Sequence, residues 1–107
     1  MELSDMDVIE FHEAFAGQIL TNLKALASDE FAQKNLDRDK AVGEVDMSKL
    51  NLWGGSLSIG HPFGATGGRI MTTCANRLQK EGGKYGVLAA CAAGAHGHAM
   101  ILKRYDA

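Results

Sequence analysis

The 107-residue chain has one proline and two cysteines, and no apolar stretch approaches the roughly 18 residues that a membrane-spanning helix needs. No signal peptide or transit sequence is legible at its start, and secretion is not expected. Cys74 and Cys91 do not form a CxxC pair, which argues against a structural zinc site and against a disulfide framework. Reduced thiols suit a cytosolic or matrix-like compartment. Charge of one sign is also missing. The net charge is −2, the pI is about 6.0 and no basic stripe is present, so nucleic acid is not an expected partner.

What is present fits one α/β domain over residues 1–107. A chain this short buries roughly two-thirds of its unfolded surface, so its independent stability is expected to be modest. Of the 13 glycines, most lie between Gly43 and Gly97, a bias toward tight turns and close backbone approach in that half.

Asp7 to Phe11 reads as a short strand of β-branched and aromatic residues. From Glu13 the pattern turns helical: Phe15, Ile19, Leu20, Leu23 and Leu26 recur at three- and four-residue steps as far as about Ala27, with a broken continuation to Phe31. Asp37 to Ser48 is charged and aperiodic, a surface loop, and Leu50 to Trp53 reads as a further short strand. After the glycine-rich run Gly54 to Gly60, Pro62 suits the first turn of a helix. That helix aligns Ile70, Cys74 and Leu78, with Met71 and Ala75 beside them, and ends at Gly82-Gly83. Tyr85 to Cys91 is the apolar run of a strand covered on both faces. A small-residue loop, Ala92 to Gly97, leads to a last strand, His98 to Arg104. The order predicts helices packed on a mixed sheet.

Three polar groups fall at matching places in this order. His12 sits where the first strand meets its helix, His61 directly before Pro62, and Cys91 at the end of the apolar strand. In an open α/β sheet, strand carboxyl ends and helix amino termini share the edge where ligands bind, so the three are expected to converge on one cleft. A thiol is reactive as its thiolate, which a neighbouring imidazole favours, and histidine exchanges protons near neutral pH. Together with exposed amides of the 92–97 loop, that trio suits acyl or carbon–carbon bond chemistry at a thioester.

Each signal has a plainer alternative. A cysteine after an apolar strand is often a packed small hydrophobe, the reading given to Cys74. His12 can equally serve as a cap, His98 is read as structural, and His96 as solvated or functional. Cys91, His96 and His98 offer three metal ligands, but no fourth stands at a typical spacing, so no metal is expected.

Three motifs in order carry a resemblance over essentially the whole chain. His12-Glu13-Ala14-Phe15, the run from Gly54-Gly55 through Gly60-His61-Pro62-Phe63-Gly64-Ala65-Thr66-Gly67, and Cys91-Ala92-Ala93-Gly94-Ala95-His96-Gly97 resemble the three carboxyl-terminal motifs of the thiolase family. The His-Glu-Ala-Phe form, Trp53 and the Ala-Ala after Cys91 are similar to 3-ketoacyl-CoA thiolases of the trifunctional-complex β-subunit type. Ala95 and His96 depart from the Gly and Gln common in the family.

The resemblance implies a partial thiolase-like half-domain and a set of roles. His61 would activate a nucleophilic cysteine and hold the thioester oxygen. Cys91 would be the acid/base cysteine, and His12, in place of the usual Asn, would donate to an oxyanion. The backbone N–H of Ala93 would serve a second oxyanion hole, which Ala tolerates if its φ stays negative. Phe15, Phe63 and Gly94 would contact substrate. No cofactor is implied, since coenzyme A enters as substrate. The partners implied are a CoA thioester, an amino-terminal thiolase half bearing the acyl-accepting cysteine, and either a second copy or a β-oxidation α subunit. A biosynthetic relative would use the same groups in reverse, and a non-catalytic module associating with a partner or itself is the alternative of another class. In the family a strand that precedes this segment lies centrally in the sheet. A gap between the first strand and the later ones is therefore expected, with a chain that alone has no turnover and is unstable or associated.

Overall fold

Every residue of Val8-Ile9-Glu10-Phe11 is buried, so this strand, β1, needs cover on both faces. Side chains alternate across a strand, and the two faces differ here. Val8 packs with Ile70, Cys74, Leu78 and Leu88, whereas Ile9 and Phe11 pack with Met6 and Ile19. In this computed structural model, which describes residues 1–105, the first set meets helix α4 (Thr66–Glu81) and the second meets helix α1 (Ala16–Leu26).

The sheet has three strands in the order β1-β2-β3, with β2 at Tyr85–Ala92 and β3 at His96–Lys103. β1 runs parallel to β2, with Val8 opposite Gly86 and Phe11 opposite Ala89, and β2 pairs antiparallel with β3 from Tyr85–Lys103 to Ala92–His96. The expected gap is absent. Asp7 N–H donates to Tyr85 O at 2.8 Å and His12 N–H to Ala89 O at 2.8 Å, so the two strands bond directly. Both have apolar side chains on two faces and backbone groups that must be satisfied, and direct pairing serves both needs. The α/β class with a mixed sheet and packed helices is as expected.

Local chemistry explains most of the other differences. The first helix starts at Ala16 rather than Glu13, because the Glu13 carboxylate is held elsewhere, by Asn51 and the Leu57 N–H. It stops at Leu26, and Ser28 caps a separate helix α2 (Asp29–Asn35) by accepting the Phe31 N–H at 3.1 Å. The strand expected at Leu50–Trp53 shrinks to one parallel bridge between Leu50 and Ile9. A single-turn helix α3 (Ser56–Ile59) occupies the glycine-rich run. Phe63 to Ala65 form a turn, with the Ala65 and Thr66 N–H groups on Pro62 O, so α4 starts four residues after the proline. Gly82, at φ +75°, ends α4 as expected.

Met71 and Ala75 on α4 are exposed, and Arg77 takes the buried place beside Leu78. Its guanidinium bonds Glu10 Oε1 at 2.7 Å, Lys49 O at 2.9 Å and Glu81 Oε1 at 2.8 Å, which ties α4 to β1. Burial pushes the Glu10 carboxyl pKa up, against the pull of Arg77. Cys74 is fully buried where α4 crosses β2, and a Cβ on Gly86 would collide with its sulfur. Gly86 is what lets helix and sheet approach. The last strand begins at His96, two residues earlier than expected, and most of it is exposed.

Candidate active site

The carboxyl end of β1, the amino end of α3 and the hairpin after β2 meet at one rim of the sheet. Asn51 organises the first junction. Its backbone sits at φ +49°, a left-handed value that asparagine tolerates well. Its side chain copies a strand neighbour: Oδ1 accepts the Phe11 N–H at 2.8 Å and Nδ2 donates to Phe11 O at 2.8 Å. The second Nδ2 proton goes to Glu13 Oε1 at 2.7 Å, and Glu13 Oε2 accepts the Leu57 N–H at 3.1 Å. Glu13 thereby clamps α3 against the end of β1. A side chain at Gly55 would run into that carboxylate, so the glycine is a packing requirement.

This clamp sets His12 beside His61. Their ring centroids are 4.3 Å apart at an interplanar angle of 44°, and the Phe63 ring lies 4.8 Å from that of His61, tilted by 46°. His12 is buried, whereas His61 and Phe63 are exposed. His12 Nδ1 lies 2.9 Å from Ser56 Oγ, and His61 Nδ1 lies 2.6 Å from Thr66 Oγ1 in the first turn of α4. Among the described residues, neither ring has a hydrogen-bond partner at Nε2. Burial, followed by the His61 and Arg69 charges, holds the His12 pKa below its ordinary 6.5, against the Glu13 carboxylate.

Cys91 is half-buried near the end of β2, with Sγ 3.5 Å from Gln18 Oε1 of α1. Cys91 and His12 both line a cavity of about 810 Å³ between α1, α2 and the open face of β2 and β3. Its lining includes the polar side chains of His12, Gln18, Cys91, His96 and His98 and the apolar ones of Leu26, Phe31, Val42 and Val87. The expected convergence of all three on one cleft is met only in part: His12 shares the cavity with Cys91 and touches His61, which does not line it. Neither do Phe15, Phe63, Ala93 and Gly94, all of them exposed.

The 92–97 loop is tighter than expected, a three-residue hairpin turn at Ala93-Gly94-Ala95. Ala93 stays out of the left-handed region, as its proposed use of a backbone amide needs, while Gly94 and Ala95 have φ of +85° and +58°. His98 belongs to the cavity wall rather than to a packed interior. Among the described residues no group of His, Cys, Asp and Glu is arranged to hold a metal ion, and no helix is long and apolar enough to cross a membrane.

Nothing in the sequence pattern marks Asn51, Glu13, Ser56, Thr66 and Arg69 as residues that hold this site together. Glu13, Ser56 and Thr66 lie inside the motifs and were visible there, but nothing in the pattern gave their bonding.

Comparison with known proteins bears on the family and the fold. The family model described as the thiolase C-terminal domain matches residues 1–104. The trifunctional enzyme subunit beta, mitochondrial, of Bos taurus is 61% identical over 105 residues, which are 98% of this chain and 22% of that protein. The 3-ketoacyl-CoA thiolase of Colwellia psychrerythraea is 54% identical over 103 residues, 96% of this chain and 24% of its own length. Among solved structures, human mitochondrial 3-ketoacyl-CoA thiolase in complex with CoA aligns with a TM-score of 0.74 at 36% identity, over 98% of this chain and 22% of that one. The chain thus spans less than a quarter of the relatives it matches. The motifs, the partial thiolase fold and these likenesses agree: the chain belongs to the thiolase family and corresponds to its carboxyl-terminal domain.

Proposed function

We propose that this chain supplies the carboxyl-terminal catalytic groups of an acetyl-CoA C-acyltransferase, a 3-ketoacyl-CoA thiolase of fatty-acid β-oxidation. The acyl-accepting cysteine belongs to an amino-terminal half-domain. His61 takes its proton, and the thiolate attacks the 3-keto carbonyl. The bond between C2 and C3 then breaks, leaving an acyl-enzyme and the enolate of acetyl-CoA, which Cys91 protonates. The Cys91 thiolate next takes the proton of an incoming CoA thiol, whose sulfur attacks the acyl-enzyme. A shortened acyl-CoA leaves and the first cysteine is regenerated. His12 Nε2–H and the Ala93 N–H stabilise the oxyanions, and Phe15, Phe63 and Gly94 contact the substrate. The cycle uses coenzyme A as substrate and no separate cofactor. The full enzyme is a homodimer or joins a β-oxidation α subunit, in a mitochondrial matrix or a bacterial cytoplasm.

The observation that carries the reading is the placement of His12 against His61 and on the same cavity as Cys91. The test is a hybrid in which this chain replaces the matching segment of an active relative. Thiolysis of acetoacetyl-CoA by the hybrid is expected. Replacing Cys91 or His61 by Ala should lower the rate by roughly 10²–10⁴, the usual size of an acid–base contribution. A folded hybrid that binds CoA without turning over refutes the reading.

The exposure of β3 favours a second reading, a non-catalytic module that pairs along this free edge. Sedimentation at micromolar concentration separates a monomer from such an assembly.

A further inference from the structure

The two histidines at the rim have different hydrogen-bond surroundings, and those of His12 reach one step further into the fold. Ser56 Oγ, 2.9 Å from His12 Nδ1, also accepts a bond from Arg69 Nη2 at 3.2 Å. Arg69 is itself anchored, since Nη2 also donates to Gly60 O at 2.8 Å. A guanidinium has no lone pair to offer, so at the Arg69 contact Ser56 can only accept. Its own hydroxyl proton is left for another partner. Among the described residues the one acceptor within hydrogen-bonding distance of Ser56 Oγ is His12 Nδ1. The cationic donor on the far side also polarises the hydroxyl and strengthens it as a donor.

We infer that Arg69 and Ser56 form a positioning relay that fixes the tautomer of His12, with Nδ1 bare and the proton on Nε2. His12 then presents a fixed N–H donor at the rim instead of a lone pair. The ring must stay neutral for this, since an imidazolium would carry a proton on Nδ1 and set it against the Ser56 proton. The buried position of His12, with His61 and Arg69 close by, works in the same direction. The relay also accounts for the placement of α3. A helix of one turn contributes little stability, but its first residue carries the hydroxyl that links the two chains of bonds. The catalytic meaning of the fixed donor rests on the thiolase reading above; the tautomer does not.

Long-range proton–nitrogen correlation spectra of the histidine-labelled chain, at a pH where both rings are neutral, read the tautomer directly. The chain itself is used where its spectrum is dispersed, and the hybrid enzyme otherwise. The expected result is a single His12 species protonated at Nε2. Ser56→Ala should replace it with a tautomer mixture, Arg69→Met should weaken the preference, and Ser56→Thr should retain it. In an active hybrid, Ser56→Ala should lower kcat with KM held, and Ser56→Thr should restore it. A His12 protonated at Nδ1 in the unmodified protein overturns the relay, with no variant needed. So does an unchanged tautomer in a folded Ser56→Ala protein. A hybrid without thiolysis that still shows the Nε2 proton sinks the catalytic reading and leaves the relay standing.

Discussion

Ala95 holds a left-handed backbone conformation at φ +58° in the hairpin turn, next to Gly94 at +85°. That region costs a residue with a Cβ about 1–2 kcal/mol, and glycine occupies it freely. The sequence already set this position apart, because glycine is common there in the family. The turn supplies the reason. Ala95→Gly should therefore stabilise the chain by about 1 kcal/mol in urea unfolding, and a loss of stability would mean the turn is not formed as described. His12 gives a second prediction at this scale. Its folded pKa lies below the ordinary 6.5, so below that pH the unfolded chain binds a proton that the folded one refuses. Stability should fall as pH drops below about 6.5, and replacing His12 with Asn should flatten that part of the curve. His12, His61 and Cys91 were legible because each stands at the end of a readable element. Ser56 and Arg69 were not, because their link runs through a single-turn helix too short to leave a periodic signal.

Among the elements, α4 and β1 show what a hydrophobic pattern can and cannot reveal. Ile70, Cys74 and Leu78 mark the buried stripe of α4 and all three are buried. Arg77 stands on the same face, fully buried, and no stripe of apolar letters finds it. It is tolerated because Glu10, Glu81 and Lys49 O satisfy its donors. Glu10 within the strand is the matching half, equally hidden from a count of β-branched residues. Removing one member strands the other charge. Arg77→Met should cost roughly 3–5 kcal/mol, whereas the pair Glu10→Leu with Arg77→Met should cost much less. The pKa of Glu10 is already raised by burial, and without Arg77 its carboxyl should take up a proton more readily still. The deficit of Arg77→Met should therefore shrink as pH falls, when measured by denaturant titration at several pH values. A deficit that does not vary with pH would show that the loss is one of packing rather than of an unpaired charge.

At the scale of the whole molecule, the direct β1–β2 pairing was beyond the reach of the sequence. Strand identity follows from local pattern, but which strands become neighbours depends on which free edges are available. Here β1 and β2 pair edge to edge, and β3 is the exposed outer strand. What the chain can catalyse alone is decided by its thiols. The proposed cycle uses one cysteine to carry the acyl group and another to shuttle protons. Cys91 is half-buried on the cavity and suits the second task. Cys74, the other cysteine, lies under Gly86 with no exposure, and burial, with Glu10 adding to it, pushes its thiol pKa up to about 11. A thiol in that state is neither ionised nor reachable. The 107-residue chain is thus expected to cleave no acetoacetyl-CoA with CoA, and a thiol reagent should label Cys91 in the folded protein but Cys74 only after unfolding. Enzymatic thiolysis by the purified chain, or equal labelling of both cysteines in the folded state, would mean that the acyl group has a carrier within these residues and that α4 does not pack on β2 as described.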